Sequence, residues 1–93
     1  MKQYTGMYII RPTATEEQIK ACNEALANIF TKDGGQVLSV EEWGMKDLAY
    51  EINDFSKGYY VKFVVNATNE AVAEYDRICN IREDVIRHII VRD

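Results

Sequence analysis

Residues able to do covalent chemistry are scarce in this 93-residue chain. His88 is the only histidine, there is no Gly-rich phosphate loop, and no Ser or Cys stands beside a base, so nucleophilic catalysis and phosphoryl transfer both lack their parts. The acidic doublets Glu41-Glu42 and Glu83-Asp84 read as solvated charges rather than an acid/base couple. Cys22 and Cys79 lie far apart in apolar helical patterns without CxxC spacing, so they read as buried, reduced thiols. With one histidine to join them, neither a metal site nor a cofactor is expected. What remains is the chemistry of binding: lysine and arginine for phosphate, and aromatic rings for stacking or burial.

The net charge of −4 argues at first sight against nucleic acid. Its distribution argues otherwise. Lys2, Arg11, Arg87 and Arg92 fall in residues 1–12 and 85–92, where there is no Asp or Glu, while residues 13–84 hold fourteen acidic residues against seven basic ones. Both ends of the chain are therefore basic, and the effect of that surplus depends on which segments become neighbours.

The elements that would position these groups are legible from periodicity. YTGMYIIR, stopped by Pro12, reads as a first strand. Thr15 followed by Gln18 matches a capping box, and Ile19, Cys22, Leu26, Ile29 and Phe30 form one apolar stripe, predicting a helix over about 15–32 that ends at Gly34-Gly35. The stretch from Val37 to Ile52 reads as a long second strand whose alternation changes phase near Gly44, the signature of a β-bulge. Turn residues are expected at 54–58, then a third strand over YYVKFVV. Thr68 is placed to cap a second helix with Ala71, Val72, Tyr75, Ile78 and Cys79 inward, and VIRHIIV closes the chain as a fourth strand.

The order β-α-β-β-α-β is the split βαβ or ferredoxin-like arrangement, an α+β fold in one domain over 1–93, with a four-stranded antiparallel sheet and both helices on one face. Right-handed crossovers put strands one and three in the centre and strand four beside strand one. From this the two basic ends are expected to meet, with Lys2, Arg11, Arg87 and Arg92 sharing one end of the sheet. The face away from the helices should alternate with polar residues if it met only water. Instead it is apolar at Met7 and Ile9, and it also carries Tyr60 and Lys62, so a mixed surface for a protein partner or RNA is expected. No stretch is long and apolar enough for a membrane span, and no signal-peptide cleavage pattern follows the first apolar run, so a cytoplasmic location is expected.

Three readings compete on this framework. An acylphosphatase-type enzyme shares the topology, with Arg11 to hold a phosphate, but nothing else supports it. Lys57-Gly58-Tyr59-Tyr60-Val61-Lys62-Phe63 resembles the signature of an RNA-recognition motif, a single-strand RNA binding module. There, however, Tyr59 and Tyr60 are adjacent and project to opposite faces, which breaks the stacking pair. The third reading covers the whole chain. YTGMYIIRPTATEEQI, KDGGQVLSVEEWG, LAYEIND with GYYV, and IREDVIRHIIVRD resemble, in register, the bacterial small-subunit ribosomal protein S-six family.

That resemblance implies a ferredoxin-like fold and a structural, non-enzymatic role on the ribosome. It also implies binding to the central domain of small-subunit ribosomal RNA as a heterodimer with ribosomal protein S-eighteen, without membrane or small-molecule substrate. Of the family's basic positions after EWG, here Met45, Lys46 and Asp47, only Lys46 keeps its charge. Arg82 and Arg87 match the C-terminal basic positions and lead the candidates for phosphate contact, followed by Lys2 and Arg92. Tyr50 and Tyr60 are candidates for partner or RNA contact, with hairpin packing the alternative for Tyr50. Trp43 reads as a packing residue beside the bend.

Overall fold

The computed structural model describes residues 1–32 and 34–93. Its elements are β1 (Lys2–Ile10), α1 (Glu16–Lys32), β2 (Gln36–Ile52), β3 (Phe55–Ala67), α2 (Asn69–Ile81) and β4 (Val85–Arg92). The strands pair antiparallel in the order β2-β3-β1-β4, so the crossover argument from the sequence holds.

Each helix begins and ends for a local reason. The Thr15 amide donates to Gln18 Oε1 at 2.9 Å while the Gln18 amide donates to Thr15 Oγ1 at 3.2 Å, closing the capping box. At the far end the Gly35 amide reaches the Phe30 carbonyl and the Gly34 amide that of Thr31, a Schellman closure with Gly34 at φ +79°. Thr68 caps α2 through Oγ1, which accepts from the Ala71 amide at 3.1 Å.

Both helices lie on one face of the sheet. Cys22, Leu26 and Phe30 of α1 and Ala71, Tyr75 and Cys79 of α2 meet Tyr4, Tyr8, Ile10, Val61, Phe63, Val65, Ala67 and Val85 in a single core. Full burial of a large apolar side chain contributes about 1.5–3 kcal/mol, so this layer carries most of the stability. Phe63 sits at its centre, its ring 5.3 to 5.9 Å from those of Tyr75, Phe30 and Tyr8. Gly6 makes room for it: a Cβ there would lie 2.2 Å from Phe63 Cζ.

Two expectations need correction. The hairpin does not turn at 54–58. Ile52 pairs with Phe55 across Asn53 and Asp54, at φ +51° and +69°, the two left-handed positions of a two-residue hairpin loop. Asn and Asp tolerate that conformation without glycine, so Phe55 to Gly58 belong to β3. Second, the four basic end residues do not share one end of the sheet. Arg92 stands opposite Tyr4, near Lys2, whereas Arg87 stands opposite Ile9, near Arg11. At about 3.3 Å per residue these pairs sit at opposite ends of β1, because antiparallel β4 runs back along it. In β4 a register shift beside Ile9 and Ile10 turns Val85 into the core, away from the face of Ile89 and Val91.

Candidate nucleic-acid and partner interface

The face opposite the helices is open, and the strand registers order it into rows. Glu41, Lys62, Met7 and Ile89 run across it, flanked on one side by Ser39, Val64, Thr5 and Val91 and on the other by Gly44, Tyr60, Ile9 and Arg87. The two halves differ in chemistry. Over β1 and β4 the face is aliphatic, with Ile89 and Val91 more than half exposed. Over β2 and β3 it is aromatic and charged. Ile9, one of the sequence candidates, is only 7% exposed and forms the floor of the face, packed against Gly58; Met7 beside it is half-buried.

The bulge anticipated near Gly44 governs the second half. Glu42 pairs with Val61 and Gly44 with Tyr60, leaving Trp43 as the extra residue. Gly44 takes φ +82°, a conformation open to glycine at little cost. Trp43 therefore joins Tyr60 on the open face, their rings within 8° of parallel and 6.4 Å apart at the centroids. Sequence reasoning assigned Trp43 to packing and missed this pairing. The phase change at Gly44 was the signal, since a bulge sends two successive residues to one face.

Beyond Tyr59, which pairs with Ile10 near the end of β1, the β2–β3 hairpin continues as a free arm. Near its tip the arm also reaches back to β4. Arg87 Nη1 of β4 donates to the Tyr50 hydroxyl, and the guanidinium carbon lies 5.8 Å from the centre of the Tyr50 ring. Both residues are exposed, so a cation is held on the surface at the mouth of the arm.

The other candidate cations differ in their freedom. Lys46 is exposed opposite Gly58. Lys62, half-buried, has its Nζ 3.9 Å from the exposed Glu41, a long contact open to water and worth little. Lys2 and Arg92 are exposed at the far end, where Asp93 is bound by Gln3 and Thr5. Arg82 is bidentate to Asp84, with Nε and Nη2 each at 2.9 Å, so two of its donors are already committed. Burial works to raise the Asp84 pKa, but the hydrogen bonds and charge of Arg82, helped by Arg11, win and hold that carboxyl below its ordinary value. Burial also pushes the thiols up, Cys22 to about 11 and Cys79 to about 12.

Comparison with known proteins identifies the family and the fold. The family model described as Ribosomal protein S6 matches residues 3–92. This chain belongs to the ribosomal protein S6 family. A relative from Acholeplasma laidlawii (strain PG-8A), the small ribosomal subunit protein bS6, is 50% identical over all of this chain and 98% of its own length. The crystal structure of 30S ribosomal protein S6 from Thermotoga maritima superposes with a TM-score of 0.92 at 27% identity, covering 99% of this chain and 87% of that one. Membership of the S6 family makes the chain a structural constituent of the small ribosomal subunit rather than an enzyme, and places it in the cytoplasm with the ribosome. Among the described residues no helix is long and apolar enough to cross a membrane.

Proposed function

We propose that the chain binds the central domain of small-subunit ribosomal RNA jointly with ribosomal protein S-eighteen, as a heterodimer. The observation that carries this reading is the open sheet face, aliphatic over β1 and β4 and bordered by the exposed Arg87. Met7, Ile9, Tyr50, Tyr60 and Lys62 make up the surface proposed for partner or RNA, with Met7 and Ile9 in its aliphatic half over β1 and β4 and Tyr60 and Lys62 on β3. Lys46, Arg87, Lys2 and Arg92 are the proposed phosphate contacts, with Arg82 contributing through the donors Asp84 leaves free. A chain of net charge −4 repels RNA at long range, so the basic charge of the partner supplies part of the attraction and the isolated chain binds weakly.

A filter-binding titration of central-domain RNA tests this with the chain alone, with S-eighteen alone, and with both. Tight binding by the pair only, weakened by Arg87→Ala, is expected. Absence of binding in every mixture, with no complex between the two proteins, overturns it.

A further inference from the structure

We propose that Trp43 and Tyr60 form a stacking platform for an unpaired nucleotide base, with Lys46 and Lys62 meeting the phosphates on either side. This deepens the ribosomal RNA reading and rests on it. The sequence signature for single-strand recognition fails in this chain because Tyr59 and Tyr60 face opposite ways. In the structure the missing second ring comes from the neighbouring strand. The bulge at Gly44 delivers Trp43 onto the face of Tyr60, parallel within 8°.

Several features point to a base as the occupant. Trp43 is 44% exposed on a domain with a well-filled core, so its ring has surface left to continue the stack. Lys62 follows Tyr60 on the same face of β3, and Lys46 occupies the row on its other side. A flat ring between two cations matches a base between two phosphates, and stacking of this kind is tolerant of sequence. The aliphatic surface suited to a protein lies apart, over β1 and β4, so the platform and the protein-facing half need not compete. Glu41 opposes phosphate at Lys62, but its contact at 3.9 Å is long, Glu41 is exposed and Lys62 only half-buried, so an arriving phosphate displaces it at small cost.

Trp43 is the only tryptophan, which makes its emission a direct reporter. The test titrates the whole chain with fluorescently unlabelled deca-adenylate at low salt, following Trp43 emission, and measures affinity separately by anisotropy of an end-labelled copy. Saturable quenching is expected. Trp43→Ala should weaken binding about tenfold while Trp43→Phe retains most of it, and Lys62→Gln should lower the slope of log affinity against log salt by about one. Circular dichroism and thermal melting confirm that each variant folds. Unchanged emission, together with equal affinity of wild type and Trp43→Ala, overturns the proposal. So does protection of Trp43 by S-eighteen alone with no further change when RNA is added, since the face would then belong to protein. The pair binding central-domain RNA with undiminished affinity in Trp43→Ala would remove the platform yet leave the ribosomal reading standing, whereas failure of the wild-type pair would remove that reading itself.

Discussion

Arg87 and Tyr50 are 37 residues apart in the chain, yet the guanidinium donates to the phenol and lies over its ring. One residue belongs to the last strand and the other to the hairpin arm, so an exposed contact joins the packing of Gly58 on Ile9 in setting where the arm rests relative to the sheet. It also restricts the rotamers of a long cation, lowering the entropy that a phosphate contact must overcome.

Arg87→Ala should therefore weaken RNA binding by the pair with S-eighteen about tenfold and flatten its salt dependence by about one unit of slope. Tyr50→Phe, which keeps the ring and loses the acceptor, should fall between that variant and wild type. Stability should change by less than about 0.5 kcal/mol in both, because both side chains are exposed. Urea denaturation beside filter binding separates the two effects.

Gly44→Val meets no neighbour within 4 Å, so its cost comes from φ +82° alone. Forcing a β-branched residue into that conformation costs about 1–3 kcal/mol or moves the bulge. Moving the bulge rotates Trp43 off Tyr60, and assembly with RNA should then suffer more than stability does. Equal losses in the two measurements would mean that the bend serves only the fold.

Gly6→Ala is the opposite case, ordinary backbone with no space. Its methyl group would press on the Phe63 ring at the centre of the core, and a loss of about 1–3 kcal/mol in denaturant unfolding is expected. Adding Phe63→Leu to Gly6→Ala should recover part of the loss, since the ring is what the methyl strikes.

At pH 7.5 both cysteines should be inert to a disulfide reagent. Burial raises Cys22 to about 11 and Cys79 to about 12, so the reactive thiolate is scarce as well as inaccessible. Two thiols should titrate on unfolding in guanidinium chloride and none beforehand; a fast native reaction would contradict the packing of α1 on α2.

The Arg82–Asp84 pair predicts an acid limb of stability. Asp84 has a lowered folded pKa, so its contribution is complete above the ordinary aspartate value of about 3.9 and is lost as pH falls through the folded value. Asp84→Asn should lower stability at neutral pH and make the remaining stability less steep below pH 4. Thermal melts of both proteins across pH 2–7 check the sign.

The helices and topology were legible because local chemistry decides them: the Thr15 and Gln18 exchange, the Cys22, Leu26 and Phe30 stripe, the Thr68 cap. The turn was misplaced because Asn53 and Asp54 adopt left-handed conformations that sequence reading assigns first to glycine. Grouping Arg11 with Lys2 failed for a geometric reason, since sharing a strand says nothing about sharing its end. Trp43 was unreadable as a surface residue until the bulge fixed its side. The Arg87–Tyr50 contact depends on the path of an arm that no local pattern encodes.

The irregular β2 bears on a matter apart from recognition. It is an edge strand with one unpaired flank, and it exposes Leu38, Val40, Trp43 and Met45, the composition of a segment that templates its own copies into fibrils. Yet its ladder to β3 breaks between Val37 and Ser39, between Glu42 and Gly44, and after Asp47, leaving no regular run longer than four residues. A second molecule laid alongside would lose register before it could zip. The same kinks that aim Trp43 thus keep crowded, unassembled copies of the chain from polymerising.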